Sequence, residues 1–141
     1  MIVVDAENAV VGRMAAKVAK LLLDGETVNV VNAEKAVMSG EPSMNVAKYK
    51  TRRLQKDKSN PEHSPYISRR PDIFVKRIVR GMLPFKTPRG RRAFKNLRIY
   101  SGIPQGLSVP KDSKVELKAK EKLNLRSISI AELCRQLGHM G

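Results

Sequence analysis

Two short apolar segments flank a stretch of helical periodicity near the start of the chain, and this arrangement constrains the fold more than any other feature. Residues 2–5 and 27–32 are rich in β-branched side chains, as buried strands are. Between them, apolar residues recur at helical spacing: Val11, Met14, Ala15, Val18, Ala19 and Leu22. Asp5 or Asn8 is the expected N-cap, and Gly25 the expected end, of this helix. Strand, helix and strand over about 30 residues form a βαβ unit, which predicts an α/β domain with a parallel sheet.

Two further helical patterns follow. One opens at residues 41–43 and runs to about Leu54, and its predicted inner stripe is thin: Met44, Ala47, Thr51 and Leu54. The other begins at Pro71, which suits a first helical turn. Its predicted apolar face comprises Phe74, Val75, Ile78, Val79 and Met82. Between these helices, residues 55–70 are polar and without periodicity, which predicts a long loop.

Short elements complete the chain. Strands are predicted at residues 35–38 and 97–100, and residues 113–125 fit a helix and a strand equally well. Thr87 followed by Pro88 predicts the start of a helix, and Ser129 with Glu132 forms a capping box for the last one. Because the pattern shows no internal repeat and no domain boundary, we predict a single domain over residues 1–141.

Nearly all of the excess positive charge lies in one segment. The chain carries 28 Lys and Arg against 13 Asp and Glu, for a net charge of +15. Residues 48–98, which we call the basic insertion, hold 17 of these cations, ten of them Arg, and only three acids. Such dense like charge repels within a compact domain unless a polyanion offsets it. The planar fork of Arg matches phosphate oxygens in pairs, so the basic insertion predicts binding of nucleic acid.

The sequence offers no catalytic, cofactor-binding or metal-binding constellation. It lacks a glycine-rich phosphate loop. His63 and His139 with the single Cys134 do not make a metal site, and Cys134 lies on an apolar stripe typical of core packing. Asp5 and Glu7 could form a carboxylate pair after the first strand, but Asp5 fits a turn or cap better. We expect no enzyme, no cofactor and no small-molecule substrate.

Composition excludes several other classes. No apolar run approaches the ~20 residues of a membrane span, and the basic insertion is not the long amphipathic helix of a membrane-surface protein. The N-terminus lacks the features of a secretory signal, and a lone cysteine fits a reducing compartment, so we predict a cytoplasmic protein. Aromatic residues make up 4% of the chain, too few for a module that reads bases mainly by stacking.

Three blocks of residues occur in an order and spacing found in a known family. The first comprises Val4-Asp5-Ala6, Gly12-Arg13-Met14-Ala15-Ala16, Ala19-Lys20-Leu21-Leu22 and Gly25. The second comprises Asn32-Ala33-Glu34-Lys35 and Ser39-Gly40. The third comprises Val79-Arg80-Gly81-Met82-Leu83-Pro84, Gly90-Arg91 and Leu97-Arg98-Ile99-Tyr100-Ser101-Gly102. Across residues 3–104 the chain resembles the universal L-thirteen family of large-subunit ribosomal proteins, and its N-terminus and the tail after Pro104 resemble the archaeal or eukaryotic form.

The resemblance implies both a fold and a place of action. It implies a three-layer α/β/α domain around a short, mainly parallel four-stranded sheet. It also implies binding to ribosomal RNA of the large subunit early in assembly, with neighbouring ribosomal proteins as further partners. Bacterial members carry a glycine-rich stretch after the second helix, whereas this chain reads Asn60-Pro61-Glu62-His63-Ser64-Pro65. Contacts made there do not transfer.

We predict that the basic insertion holds the phosphate backbone of RNA. The predicted RNA-binding residues are Arg52, Arg53, Lys56, Arg69, Arg70, Arg89, Gly90, Arg91, Arg92 and Lys95. Gly90 is expected to let the backbone approach RNA closely, and the helix start after Thr87 to offer N–H donors to a phosphate. A second set is expected to contact RNA or neighbouring proteins: Lys48, Lys76, Arg77 and Arg80.

Two alternatives from other classes remain open. A Rossmann-like nucleotide-binding enzyme is compatible with the βαβ start but lacks the phosphate loop. A stand-alone DNA-binding protein is compatible with the charge, although the cations spread over two helices and loops rather than one face that fits a groove.

Overall fold

The computed structural model describes residues 1–107 and 126–140, so the ambiguous segment 113–125 lies outside the described residues. The strands are β1 (Ile2–Asp5), β2 (Val28–Val31), β3 (Val37–Ser39), β4 (Leu97–Ile99) and β5 (Ser127–Ser129). The helices are α1 (Val11–Leu23), α2 (Pro42–Leu54), α3 (Pro71–Met82), α4 (Pro88–Lys95) and α5 (Ile130–Gln136). None of the helices in these two ranges is long and apolar enough to cross a membrane.

A parallel sheet forms the centre of the fold, as the βαβ pattern predicts. Its order is β1-β2-β4, and both pairings are parallel, with Val4 opposite Val30 and Val30 opposite Ile99. Alternate residues of β1 and β2 point to opposite faces. Val4 and Val30 are buried on one face, and Val3 and Val31 on the other. Burial of both faces agrees with layers on either side of the sheet.

The third predicted strand, β3, does not join the parallel sheet, although the expected four-stranded sheet would require a fourth strand there. Within the described ranges the parallel sheet has three strands, and β3 pairs antiparallel with β5, with Met38 opposite Ile128. The reason lies directly after β2. Asn32 adopts a left-handed conformation (φ +54°), and a 3-10 turn at Ala33–Lys35 redirects the chain before β3 begins. A parallel bridge to Val10 then ties β3 to the loop before α1.

The main core lies between the sheet and α1, α3 and α4. All six predicted apolar positions of α1 are buried. They belong to one cluster with residues of β2, α3 and α5, including Val28, Phe74, Val75 and Leu133. Burying an aliphatic or aromatic side chain of this kind contributes about 1.5–3 kcal/mol. This cluster therefore holds the elements on both sides of the basic insertion together.

The start of α1 differs from the predicted one. Its N-cap is Val10, which has no capping side chain, so the prediction of Asp5 or Asn8 is wrong. The Asp5 carboxylate instead accepts hydrogen bonds from the Glu7 backbone N–H (3.0 Å) and the Asn32 side-chain amide (2.9 Å). Asp5 is therefore used to join the carboxyl ends of β1 and β2.

The other predicted helix ends are confirmed. The Thr87 hydroxyl accepts a hydrogen bond from the Gly90 N–H (3.2 Å) at the start of α4. The Ser129 hydroxyl accepts one from the Glu132 N–H (3.2 Å) at the start of α5. Each bond satisfies a donor that the first turn of a helix leaves unpaired.

The buried face of α2 is not the predicted stripe. The four predicted positions are all exposed: Met44, Ala47, Thr51 and Leu54. Val46 is buried instead, and the Tyr49 ring packs edge-to-face against Phe74 of α3 with 4.9 Å between centroids. Val46 and Tyr49 therefore define the inward side of α2. In α3 the predicted face is buried or half-buried except for Met82, which is 42% exposed.

Candidate nucleic-acid interface

The basic insertion is part of the folded core rather than an appendage. It spans the second half of α2, the loop of residues 55–70, α3, α4 and most of β4. Most of its apolar residues are buried or half-buried, whereas most of its cationic side chains remain exposed. The predicted RNA-binding residues divide into those that the fold itself uses and those that it leaves facing outward.

Arg53 and Arg69 stabilise the end of α5. The half-buried Arg53 guanidinium donates to the Leu137 carbonyl, and the Arg69 guanidinium donates to the Gly138 carbonyl at 3.1 Å. The last carbonyls of a helix lack partners within the helix and carry partial negative charge, which makes them good acceptors for a cation. Both arginines therefore connect the insertion to the helix that follows it.

Arg70 forms an ion pair within its own turn. Its Nη2 lies 2.7 Å from Oδ2 of Asp72, and its Nε donates to Oδ1 at 3.2 Å. This two-point contact orients the guanidinium at the start of α3. Because the Arg70 side chain remains 64% exposed, its outer edge stays accessible.

The densest group of outward cations lies on α4. Arg89 donates to the Leu23 carbonyl (3.2 Å) and Arg91 to the Lys86 carbonyl (3.1 Å), yet both side chains remain exposed. A guanidinium has five N–H donors, so one such bond leaves most of them free. Arg92 and Lys95 are exposed and have no protein partner within residues 1–107 and 126–140. Arg52 and Lys56, at and just after the end of α2, are exposed as well.

Gly90 has a packing role that the sequence did not predict. Gly90 is buried, and a Cβ added there would lie 2.1 Å from the Pro84 carbonyl oxygen and 3.0 Å from the Phe85 nitrogen. Its N–H is bonded to the Thr87 hydroxyl, so this donor is not free for a phosphate. Gly90 allows α4 to pack against the chain at residues 84–85, and the close approach is to the protein's own backbone.

Three of the four second-set cations lie over aromatic rings. Lys76 Nζ is 5.2 Å from the centroid of Phe94, and the Arg77 guanidinium carbon is 5.8 Å from that of Tyr66. The Arg80 guanidinium carbon is 4.1 Å from the centroid of Phe85. Attraction between a cation and a ring face contributes about 0.5–1 kcal/mol at exposed sites.

The sequence analysis assigned no role to Tyr66, Phe85 or Phe94. Tyr66 and Arg77 lie on a loop and a helix eleven positions apart in the sequence, so no helical or strand periodicity could have paired them. The only available signal was that five of the six aromatic residues occur in the basic insertion. Lys48, the fourth cation of the second set, is simply exposed.

The carboxyl edge of the parallel sheet holds hydrogen-bonded acids. Open α/β sheets bind nucleotides at this edge. Here Lys35 is ion-paired with Glu7 (2.9 Å), and Glu34 accepts from the Gly102 N–H (2.8 Å). The hydrogen bond and the charge of Glu7 raise the pKa of Lys35 above its ordinary value. These carboxylates would repel a nucleotide phosphate.

Cys134, the cysteine of the core, is not an active nucleophile. Cys134 is fully buried, and burial, together with the charge of Asp72, raises the pKa of its thiol to about 11. The thiolate is the nucleophilic form of cysteine, so Cys134 is almost entirely unreactive near neutral pH. Among the residues that the structure describes, no cluster of three or more His, Cys, Asp and Glu could hold a metal ion.

Comparison with known proteins extends these observations. Residues 1–106 match the family model described as Ribosomal protein L13. Over 139 residues the chain is 46% identical to the large ribosomal subunit protein uL13 of Methanococcus maripaludis, covering 98% of each chain. It is 41% identical to that of Archaeoglobus fulgidus, covering 99% of this chain and 88% of the relative. It is also 41% identical to that of Methanocaldococcus jannaschii, covering 98% of each.

Proposed function

This chain belongs to the ribosomal protein L13 family, and on that premise we propose that it is a structural, non-enzymatic constituent of the large ribosomal subunit that binds ribosomal RNA. The family that three sequence blocks pointed to is thereby confirmed, and the relatives named above are archaeal. The single observation that carries RNA binding is the set of outward-facing cations on α4 and at the end of α2, on a scaffold whose candidate reactive groups are engaged or buried.

We assign the phosphate contacts to the cations that the fold leaves exposed. A-form RNA hides its base edges in a deep, narrow major groove, so proteins hold it largely through phosphates, 2′-hydroxyls and shape. The proposed contacts are Arg52, Lys56, Arg70, Arg89, Arg91, Arg92 and Lys95. Arg53, Arg69 and Gly90 are proposed to act by supporting the fold.

The finer aspects of the function are proposals as well. We propose that the protein joins the large subunit early in assembly, in the cytoplasm. We also propose that it contacts neighbouring ribosomal proteins in addition to RNA. The exposed Lys48 and the half-buried Lys76 are candidates for either kind of partner.

The two alternative functions have less support. A nucleotide-binding role conflicts with the acids at the carboxyl edge of the sheet. A stand-alone DNA-binding role calls for a groove-sized recognition face, whereas the exposed cations of the basic insertion are spread over α2, α3, α4 and the loop between α2 and α3.

The salt dependence of RNA affinity tests the proposal. If about eight phosphates are neutralised, affinity for large-subunit RNA should fall by about 10³- to 10⁵-fold between about 50 and 200 mM salt. The double variant Arg92→Gln with Lys95→Gln should reduce the slope of log affinity against log salt by about 2. Binding is measured by filter retention of labelled RNA over a salt series.

A matched control removes the same charge elsewhere. Arg13→Gln with Arg135→Gln neutralises two exposed arginines of α1 and α5, outside the basic insertion, and should leave the slope at the wild-type value. A flat salt response of the wild-type protein, or equal slopes for the two double variants, would contradict the assignment.

A further inference from the structure

An open groove lies within the basic insertion, between the loop of residues 55–70 and the end of α3. It has a volume of about 760 Å³, and its floor includes the chain between α3 and α4. We call it the arginine–aromatic groove and define it by Tyr66, Arg77, Arg80, Phe85 and Lys86. Its volume lies within the ~300–1,000 Å³ typical of small-ligand pockets.

The groove presents flat groups, namely aromatic rings and guanidinium planes, some of which are held in place by contacts with one another. The Arg80 guanidinium lies 4.1 Å above the ring of Phe85, which is itself packed edge-to-face against Phe94 at 5.3 Å between centroids. Phe85 therefore contacts both Phe94 and the Arg80 guanidinium. Arg77 lies over one face of Tyr66, yet Tyr66 remains 73% exposed, so most of its ring is open to a partner.

The positive charge of the groove favours an anionic occupant. Its described lining residues include three cations, Arg77, Arg80 and Lys86, and no acid. An apolar peptide would cover these cations without neutralising them. An unpaired nucleotide offers a planar base for an aromatic ring or a guanidinium plane, and a phosphate for the cations around it.

We propose that the arginine–aromatic groove binds one or two unpaired nucleotides of large-subunit ribosomal RNA. The base stacks on the open part of the Tyr66 ring, and Arg77, Arg80 and Lys86 surround its phosphate. This inference rests on the proposed function and deepens it, because it adds contact with an unstacked base to contacts with the phosphate backbone. The low aromatic content argues against a module that reads bases mainly by stacking, but it does not reveal that two rings share one cationic groove.

Ultraviolet crosslinking of intact large subunits tests the contact directly. Short-wavelength light joins bases to the side chains they touch. Trypsin then releases Tyr66 on the peptide of residues 59–69 and Phe85 on the peptide of residues 81–86. We expect nucleotide adducts on one or both peptides by mass spectrometry. Adducts confined to peptides of α2 and α4 would overturn the proposal.

Substitution of Tyr66 tests the energetic contribution. Tyr66→Ala in the full-length protein should lower affinity for large-subunit RNA by about 5- to 150-fold, the range for loss of one base–aromatic stack, with an unchanged salt slope. Tyr66→Phe keeps the ring and should keep wild-type affinity. Because Tyr66 is largely exposed, both variants should unfold at the wild-type temperature, which is checked in parallel.

The outcomes separate this inference from the function on which it rests. If the wild-type protein binds RNA with steep salt dependence but Tyr66→Ala binds equally well, the groove assignment is wrong and the proposed function stands. If the wild-type protein shows no salt-dependent RNA binding, the proposed function fails first. If chemical crosslinking in intact subunits joins the two groove peptides to another ribosomal protein instead of RNA, the groove has a protein occupant and the inference is overturned.

Discussion

Among single residues, Gly90 has the strictest steric requirement described for this chain. A Cβ at this position would lie 2.1 Å from the carbonyl oxygen and 2.4 Å from the carbonyl carbon of Pro84. Neither atom belongs to a flexible side chain that could turn away. Any larger residue must therefore push α4 away from the backbone of Pro84 and Phe85.

Gly90→Ala is expected to destabilise the protein. Overpacking typically costs about 1–3 kcal/mol, and the rigid backbone at Pro84 places this variant at or above the upper end. Gly12→Ala is the matched control, since Gly12 is also helical but has no atom within 4 Å of its added Cβ. It should stabilise α1 by up to about 1 kcal/mol. Urea unfolding measures both variants, and equal midpoints would contradict the steric argument.

Residue roles were predictable only where they depend on near neighbours in the sequence. The caps at Thr87 and Ser129 use partners three residues away and were predicted correctly. Arg53 and Arg69 bind carbonyls of Leu137 and Gly138, 84 and 69 positions later in the chain. No local pattern distinguishes these arginines from outward-facing ones. The sequence therefore indicated the charge of the basic insertion but not which of its cations support the fold and which face outward.

At the level of elements, α5 depends on arginines from outside itself. It has only seven residues, too few for an isolated helix to be stable in water. Its packing is supplemented by donation from Arg53 and Arg69 to the carbonyls just beyond its last turn. These contacts link α2 and the following loop to α5.

Arg53→Met is therefore expected to lower the free energy of unfolding by about 1–3 kcal/mol, because a partly buried carbonyl loses its charged donor. The matched variant Arg92→Met, at an exposed position, should change it by less than about 0.5 kcal/mol. RNA affinity should respond in the opposite order, with the larger loss for Arg92→Met. Calorimetry and RNA titration of the two variants provide the comparison, and the reverse ranking would refute these roles.

The loop of residues 55–70 contains a local hydrogen-bonded turn at Asp57. Asp57 accepts hydrogen bonds from the Ser59 hydroxyl (2.7 Å) and the N–H groups of Ser59 (3.0 Å) and Asn60 (3.3 Å). These bonds, the Ser59 hydroxyl foremost, lower the pKa of the Asp57 carboxyl. The surrounding residues 54–63 are nevertheless all exposed.

Trypsin is expected to cut the free protein first at the peptide bond after Lys56 or Lys58. In the assembled subunit, where RNA would cover the loop, these two peptide bonds should resist cleavage. Cleavage is followed by mass spectrometry over time. Lys58→Gln should remove one of the two early fragments and so identify the site. Equal cleavage rates in free and assembled protein would contradict a role of this loop in RNA contact.

Elements were predictable as far as their own periodicity defines them. The extents of β1, α1, α3 and α4 agree with the sequence patterns to within a few residues. The partner of β3 was not predictable, because β5 lies about 90 positions away. The face of α2 was not predictable either, because burial of Val46 and the contact of Tyr49 with Phe74 depend on residues of other elements.

For the whole molecule, we propose that residues 1–141 unfold as one cooperative unit. The central cluster contains residues from α1 through α5, and no break separates the insertion from the sheet. Leu133, in α5, is fully buried in this cluster.

Leu133→Ala should therefore lower the unfolding free energy by about 2–5 kcal/mol. The same decrease should appear in the slowest-exchanging amides of α1 and β2, measured by hydrogen exchange. Met140→Ala is the control, because Met140 is 98% exposed, and it should leave exchange unchanged. A decrease restricted to α5 would argue for two independent units.

The pairing of β3 with β5 also limits how this protein can diversify. The hydrogen bonds between the two strands close a long loop of chain that contains the entire basic insertion, and Arg53 and Arg69 connect that insertion to the helix beyond it. A relative could lengthen the exposed loop at little thermodynamic cost, since loop closure entropy grows slowly with length. Exchanging residues 48–98 for a foreign sequence would instead remove donors from α5 and residues from the common core. RNA contact and fold stability therefore depend on the same segment of the chain. A change of RNA partner during evolution is expected to proceed through single substitutions of exposed side chains.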